Sequence, residues 1–246
     1  MLRVFTRDGG GGNALGVHEG LLDPAAMQAL AAALGYSETI FLGDPTPIVT
    51  PVRIFTPTYE MPFAGHPLVG ATWHLARIGS TVDLGCPIGT VTGRRTGGDR
   101  AGIDVVQLPT VETAVLPDDV AAAWVVRMPL EYQLHRLRGV DAVAGYDPID
   151  RPDHRYVYAF GDDGNEAIVR ARFFAAGLGV DEDPATGSAA VALAAVERHQ
   201  GRTSGALTIH QGAEMGQPSR LELSWTPTAT TISGTVSDDG WTTVSL

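Results

Sequence analysis

The chain has 246 residues, of which 44% are hydrophobic and 18% charged, and its formal net charge is −11. This is the composition of an ordinary globular protein, and the chain is long enough for one large or two small domains. Its negative net charge argues against nucleic acid or an anionic membrane surface as a partner. All 17 basic residues are arginine, which excludes enzymes that need a Schiff-base lysine and P-loop proteins that need a phosphate-binding lysine.

The first predicted elements are two strands and a helix. Apolar runs at 2–5 and 14–17 flank RDGGGGN, a pattern that predicts a hairpin with a long glycine turn. Asp23 and Pro24 suit an N-cap and a first helical position, and the following helix runs over 25–35. The next predictions are strands at 39–42 and 47–55, a turn-rich loop at 56–67, a helix at 68–79 ending at Gly79, and short strands with glycine turns over 80–108.

A segment with two prolines and little pattern, 107–119, is the predicted linker between an N-terminal lobe (1–112) and a C-terminal lobe (113–246). Beyond it, an acidic loop leads into a helix at 187–200 that is closed by Gly201. Strands and helices do not alternate regularly, so the pattern predicts an α+β fold. The strands predicted in this half are 120–128, 154–160, 166–174, 206–210, 220–225, 230–235 and 241–245.

One short pattern occurs in both halves. Glu60 and Glu182 each begin E-x-P-x-x-G, which ends at Gly65 and Gly187 and leads into an apolar helix. A helix N-terminus exposes unpaired N–H groups and about half a positive charge, so two such ends facing one cleft would bind a carboxylate. Capping by acids at two unrelated helices explains the pattern equally well.

Four motifs together resemble the PhzF family of phenazine-biosynthesis-like isomerases, which share the diaminopimelate epimerase-like fold. They are GYSETIFL (35–42), EMPFAGHPLVGA (60–71), DEDPATGSAA (181–190) and QGAEMGQPS (211–219), and the opening FTRDGGGGNALGV is similar as well. The resemblance implies two pseudo-symmetric lobes, each a curved, mostly antiparallel sheet around a central helix, with the active site between them. The chain is shorter than many members around 108–155, which affects the walls of the substrate pocket most.

The resemblance implies a cofactor-independent isomerase without a metal. Such an enzyme moves a proton within a small unsaturated carboxylic or amino acid, in secondary-metabolite biosynthesis. A homodimer is common in the family. No apolar run reaches the roughly 20 residues of a membrane helix, and no signal-peptide pattern is present, so we expect a cytoplasmic protein without a membrane partner.

By the same resemblance, the catalytic residues fall on Glu38, His66, Asp183 and Ser188. Glu38 would be a general base whose pKa is raised by a dry cleft. His66 would be neutral, because a helix N-terminus disfavours imidazolium. Asp183 would orient His66 or the substrate or carry protons, and Ser188 would donate to a substrate carboxylate.

Substrate binding is expected at Asn13, Gly65, Thr186 and Gly187. The glycines would let the backbone approach the ligand closely. The neighbouring acid Asp181 is expected to be exposed, and Glu182 is expected to be exposed or, like Glu60, to pair with the other lobe.

Each of these residues also has an ordinary structural interpretation, such as a solvated turn glutamate or a capping histidine. Two other functions therefore stay open: a non-catalytic protein that binds a small carboxylate, and an epimerase that uses two bases on opposite faces. The acidic cluster lacks the spacing of a calcium loop, and the histidines lack ligand spacing, so no metal is expected. Cys86, the single cysteine, excludes a catalytic cysteine pair.

Overall fold

The computed structural model describes residues 1–46, 48–107, 109–117, 120–148, 154–176 and 180–244. Within these ranges the protein is sheet-rich and has few helices. The helices are α1 (Pro24–Leu34), α2 (Gly65–Leu75), α3 (Val140–Ala144) and α4 (Gly187–His199). The strands are β1 (Leu2–Thr6), β2 (Asn13–Glu19), β3 (Glu38–Leu42), β4 (Thr50–Phe55), β5 (Glu60–Met61), β6 (Thr81–Cys86), β7 (Gly89–Arg95), β8 (Arg100–Val105), β9 (Thr110–Thr113), β10 (Val120–Arg127), β11 (Glu131–Leu137), β12 (Arg155–Phe160), β13 (Ile168–Ala175), β14 (Val180–Asp183), β15 (Gly205–Gln211), β16 (Ser219–Trp225) and β17 (Thr230–Asp238).

Strands of the N-terminal half close around α2. The chain of pairings runs β1–β2 antiparallel, β2–β3 parallel, β3–β4 antiparallel and β4–β6 parallel. It continues antiparallel through β7 and β8 to β17, which pairs with β1 and completes the ring. Helix α2 packs against β1, β2, β3, β6, β7, β8 and β17, so the ring encloses it.

The same succession of pairings recurs around α4. Here β10–β11 is antiparallel, β11–β12 parallel, β12–β13 antiparallel and β13–β15 parallel. The antiparallel pairs β15–β16 and β16–β17 follow. Because β17 also pairs with β1 and β8, hydrogen bonding crosses the predicted boundary at 112/113. The two-lobe division therefore stays a prediction.

Helices α2 and α4 are buried on every side over most of their length. All residues of α2 from Gly65 to Thr72 and of α4 from Gly187 to Glu197 are buried. Their buried stretches consist mostly of Gly, Ala, Val and Leu, as a helix enclosed by a sheet requires. Helix α1 instead lies outside the ring and buries only Met27 and Ala31.

The predicted start and end of α1 are confirmed. The Asp23 side chain accepts hydrogen bonds from the N–H groups of Ala25 and Ala26, and Gly35 ends the helix with φ +66°. Helix α2, however, was predicted to continue to Gly79, and it ends at Leu75. The guanidinium of Arg95 donates to the carbonyls of Trp73 and Ala76, so a side chain satisfies the end of the helix one turn earlier.

The predicted linker contains a strand. Residues Thr110–Thr113 form β9, which pairs antiparallel with β10, while 108, 118 and 119 lie outside the described residues. Part of the acidic loop is likewise a strand, β14, which pairs with β13. The strand predicted at 241–245 is wrong over 241–244: this stretch has no strand partner among the described residues, and Trp241 is 90% exposed. No helix in the described ranges has the length and apolarity to cross a membrane.

Candidate active site

The N-termini of α2 and α4 meet in the middle of the molecule. A Cβ added to Gly65 would lie 2.8 Å from both Cα and the carbonyl carbon of Gly187. A Cβ on Gly187 would lie 3.0 Å from Cα of Gly65. Both glycines therefore allow one helix end to approach the other, and their predicted contact with substrate stays a prediction.

Neither of these helix ends has a side-chain cap. Ala64 and Thr186 are the N-cap residues, and their side chains accept no capping hydrogen bond, in contrast to Asp23 at α1. Two sets of first-turn N–H groups therefore lie side by side without a capping acceptor. Their dipoles favour negative charge at this point.

Asn13 connects the two halves at this point. Its Nδ2 lies 2.8 Å from Oδ1 of Asp183, 3.2 Å from the carbonyl of Ala185 and 3.3 Å from Nδ1 of His66. Its Oδ1 accepts a hydrogen bond from Ser37 at 3.0 Å. A residue of β2 thus contacts side chains of α2 and β14 and the backbone of the loop before α4.

Residues of its own half of the chain also hydrogen bond to Asp183. Its Oδ2 accepts a hydrogen bond of 2.6 Å from Thr186, and its backbone carbonyl accepts one of 2.7 Å from Gln211. Gln211 also donates to Thr186 Oγ1 at 3.0 Å. Thr186 thus hydrogen bonds to Asp183 instead of capping α4, and the carboxylate is fixed in one orientation.

Glu38 and His66 face each other with unsatisfied polar atoms. Oε2 of Glu38 lies 3.2 Å from Nδ1 of His66. Within the described part of the chain, neither this oxygen nor Nε2 of His66 has a hydrogen-bond partner, although both are buried. Unpartnered buried polar atoms are uncommon in native proteins, and they occur at sites that bind or react.

Burial and nearby charge shift the pKa values of both Glu38 and His66. The pKa of Glu38 is raised well above its usual value, first by burial and then by the charge of Asp183. The pKa of His66 is lowered to about 4, chiefly by burial, against the opposing effects of Asp183 and the Ala14 backbone. At neutral pH the histidine is therefore uncharged, and its contact with Glu38 is not an ion pair.

A narrow cavity of about 20 Å³ joins the predicted residues. Glu38, Asp183, Thr186 and Ser188 line it, whereas His66 contacts Glu38 but is not part of the lining. The cavity has room for about one water molecule, so a ring-sized acid can enter only if the walls move. The other lining residues are Ser37, Met61, Tyr132, Phe173, Ala175 and Val180.

Several residues of this site were not among the candidates predicted from the sequence. Tyr132 and Phe173 contribute aromatic wall, and Gln211 fixes Asp183. Gln211 begins the fourth family-like motif, which is the one signal that pointed to it. Tyr132 lies in β11, a strand that was not predicted, so no pattern pointed to it.

Glu60 and Glu182 both pair within their own half, against the expectation that they pair across lobes or are exposed. Arg172 binds Glu182 through two hydrogen bonds of 2.8 Å, and its guanidinium lies 4.8 Å from the centroid of the Phe174 ring. Arg53 makes the same two contacts with Glu60. Its guanidinium lies 5.2 Å from the centroid of the Phe55 ring. Each E-x-P-x-x-G turn is thus fixed to the preceding strand by a matching arginine fork.

We expect Glu182→Gln to lower the free energy of unfolding by about 1.5–3 kcal/mol, because it breaks a nearly buried, charge-assisted pair. Glu60→Gln is expected to cost less, about 0.5–1 kcal/mol, since its pair is about one-third exposed. The control is Glu131→Gln, whose pair with Arg127 is about half exposed and should contribute close to nothing. Urea denaturation measures all three, and equal losses for Glu182→Gln and Glu131→Gln would contradict the structural role of the fork.

A second expectation concerns stability and pH. Because the folded state raises the pKa of Glu38, it binds a proton more tightly than the unfolded chain does. The cost of ionising Glu38 is absent below its unfolded pKa of about 4.3 and grows as pH rises through the folded pKa. Glu38→Gln should therefore stabilise the protein by about 1–3 kcal/mol at pH 8 and lose that advantage near pH 4. Thermal or urea unfolding at both pH values tests this, and an advantage that does not change with pH would refute it.

A cluster of Asp162, Asp163 and His210 lies apart from this site. Nδ1 of His210 lies 2.7 Å from Asp162, and the Arg7 guanidinium lies 3.5 Å from Asp163. Both carboxylates therefore already have N–H partners, and none of the three residues lines the cavity described above.

Comparison with known proteins identifies the family that this chain matches. The family model "PhzC-PhzF: Phenazine biosynthesis-like protein" matches residues 2–128 and 151–237. An uncharacterised isomerase of Mesorhizobium japonicum is 33% identical over 91% of this chain and 88% of its own length. The trans-2,3-dihydro-3-hydroxyanthranilate isomerase of Pseudomonas aeruginosa is 34% identical over 79% of this chain and 77% of its own length.

A solved structure shows which known fold this chain resembles. A predicted epimerase of Pseudomonas aeruginosa superimposes with a TM-score of 0.75 at 30% identity, and the match covers 96% of this chain and 94% of that one. The fold is therefore epimerase-like.

Proposed function

The chain belongs to the phenazine biosynthesis-like PhzC-PhzF family and is an isomerase, and on that premise we propose that it moves a proton within a small unsaturated carboxylic or amino acid in secondary-metabolite biosynthesis. The observation that carries the proposal is the buried Oε2 of Glu38. Among the described residues it has no hydrogen-bond partner, and Glu38 lines a cavity together with Asp183 and Ser188.

The architecture proposed with this function is a pair of pseudo-symmetric lobes, 1–112 and 113–246, each a curved sheet around a central helix. The recurring order of strand pairings around α2 and α4 supports it. So do the equivalent arginine forks at Glu60 and Glu182. The site would then be built where the two lobes bring their central helices end to end.

In the proposed reaction, the ionised carboxylate of Glu38 removes an acidic C–H proton from the bound acid. The raised pKa of Glu38 makes its carboxylate a stronger base than an exposed glutamate. The electron pair of the broken C–H bond delocalises into the unsaturated system of the substrate. The proton then returns at a different carbon, and Glu38 is ionised again.

The proposed anion is stabilised by fixed dipoles. General acid–base catalysis supplies only about 10²–10⁴-fold, so preorganised donors must contribute much of the remaining acceleration. The uncapped first turns of α2 and α4 at Gly65 and Gly187, together with the Ser188 hydroxyl, are proposed as these donors.

His66 and Asp183 are the groups proposed to relay or orient the returning proton. His66 is uncharged at neutral pH and lies 3.2 Å from Glu38, so it can exchange a proton with that carboxyl group. Asn13 and Thr186 hold Asp183 in place. Every step uses groups of this chain.

The proposal is tested by incubation with trans-2,3-dihydro-3-hydroxyanthranilate in D₂O, the compound named for the Pseudomonas aeruginosa relative. We expect a shifted double bond and one deuterium at the newly protonated carbon, read by proton NMR and mass spectrometry. Unchanged substrate without deuterium at any carbon would contradict the proposal for this compound class.

Inversion of a stereocentre is the second candidate, because the superimposed structure at 30% identity is a predicted epimerase. Glu38 and Asp183 line the same cavity, as two bases on opposite faces of a substrate would require. Chiral analysis of the product separates the two reactions. The non-catalytic binding protein is not retained, since the relatives are isomerases. A small carboxylate as substrate and a homodimer remain part of the proposal.

A further inference from the structure

Tyr132 is a wall residue of the cavity that has no part in the proton transfer described above. Tyr132 belongs to β11, is 2% exposed, and lines the cavity together with Glu38 and Asp183. Ser188 lines the same cavity, and its side chain acts on the pKa of the Tyr132 hydroxyl as a hydrogen-bonding neighbour. Phe173 packs against its ring, with the two centroids 5.9 Å apart. The wall is therefore aromatic, and the phenol of Tyr132 shares the cavity with Ser188 in the first turn of α4.

The phenol is present as a neutral donor. Burial raises the pKa of Tyr132 above its usual value, and nearby Glu38 and Asp183 act in the same direction. A neutral phenol carries one O–H donor, and the Ser188 oxygen has two acceptor lone pairs and a rotatable proton of its own. When the phenol donates to Ser188, the serine proton is free to point away from Tyr132.

We propose that Tyr132 is a positioning residue, which donates to Ser188 and so aims the serine hydroxyl at the carboxylate of a planar unsaturated acid lying against the aromatic wall. The inference rests on the proposed function and adds to it the group that sets how the substrate is held. Consecutive hydrogen bonds polarise each other, so the donor chain from Tyr132 through Ser188 to the carboxylate binds more strongly than Ser188 alone. The two aromatic rings favour a flat, ring-shaped substrate over a branched one.

The test compares Tyr132→Phe with the matched control Tyr156→Phe. The Tyr156 hydroxyl is buried and has no hydrogen-bond partner among the described residues, and its ring lies 6.5 Å from Phe173. Its removal therefore breaks no hydrogen bond next to the same aromatic wall. The probe is anthranilate, a flat ring acid, titrated calorimetrically into each variant whose near-ultraviolet circular dichroism matches that of the wild type.

We expect Tyr132→Phe to weaken anthranilate binding by about tenfold, the effect of losing one hydrogen bond toward a charged group. Tyr156→Phe should stay within twofold of the wild type. In a double-mutant cycle, Tyr132→Phe should have no further effect when Ser188 is already alanine, because its action passes through that hydroxyl. In turnover, KM should rise about tenfold and kcat should change less than threefold.

Equal affinity of Tyr132→Phe and wild type overturns the proposal, as does a full additional loss in the Ser188→Ala background. A wild type that does not bind anthranilate overturns it as well. A wild type that binds anthranilate but leaves trans-2,3-dihydro-3-hydroxyanthranilate unchanged contradicts the proposed function alone, since the binding comparison does not depend on turnover.

Discussion

Glu38→Gln is expected to lower kcat by about 10²–10⁴-fold, the usual contribution of a positioned general base, and to leave KM within a few-fold. The amide keeps the size of the side chain and cannot accept the substrate proton. Because Glu38 lines the cavity while its Oε2 lacks a hydrogen-bond partner among the described residues, the substitution breaks no hydrogen bond of that oxygen. Steady-state kinetics in H₂O and deuterium incorporation in D₂O should fall together.

The pH dependence gives an independent signature of the same group. The pKa of Glu38 is raised by burial and by Asp183, and the base must be ionised to act. The value of kcat/KM should therefore rise with pH until it passes the raised pKa and then level off. This rising limb should be absent from the residual activity of Glu38→Gln.

Glu197 provides the matched control. It is 1% exposed, and burial raises its pKa too, but it lies near the far end of α4 and pairs with Arg202. Ten residues of helix separate it from Gly187, roughly 15 Å. Glu197→Gln should keep kcat within threefold. A Glu38→Gln enzyme with more than a tenth of wild-type kcat, or an equal loss in Glu197→Gln, would remove Glu38 from the reaction.

Gly187→Ala is expected to cost about 2–3 kcal/mol of unfolding free energy and to reduce kcat/KM by about 10²-fold. The new methyl group would lie 3.0 Å from Cα of Gly65 and 3.2 Å from the backbone nitrogen of His66. A backbone neighbour cannot rotate away as a side chain does, so the helix ends must separate. Separation displaces His66 and Ser188 by amounts to which catalysis is sensitive.

Gly139→Ala is the control for this substitution. No atom lies within 4 Å of the methyl group it would add, and its φ of −178° is extended backbone that any residue adopts. It should keep wild-type kcat/KM and change stability by less than about 1 kcal/mol. Urea denaturation and steady-state kinetics on both variants make the comparison. A Gly187→Ala protein as stable and as active as Gly139→Ala would show that the two helix ends need no close contact.

Much of the fold was accessible from local sequence signals. The Gly-rich hairpin, the Asp23 cap, and most strands of both halves follow from patterns that act within a few residues. The repeated E-x-P-x-x-G correctly indicated two helices with equivalent N-termini. The family-like motifs pointed to Glu38, Asp183, Thr186 and Ser188, which line one cavity. Their catalytic and binding roles remain predictions.

The features that were missed depend on partners distant in sequence. Strand β14 lies within an acidic run that reads as a loop, and only its pairing with β13 makes it a strand. Helix α2 stops early because Arg95, from β7, satisfies its end. The arginine forks could have been predicted, since R-I-F and R-F-F precede Glu60 and Glu182 in the sequence. Which arginine each glutamate binds nevertheless depends on strand pairing.

The most direct test of this account is a crystal structure with anthranilate bound. We expect the carboxylate within hydrogen-bond distance of Ser188 and the first-turn N–H groups of α2 or α4, with the ring carbons facing Glu38. The molecule offers a competing location, a cavity of about 410 Å³ whose lining includes Arg7, Arg100 and Arg220. Anthranilate bound only there, with Glu38 and Ser188 free of ligand, would contradict the claim that the two helix ends form the substrate site.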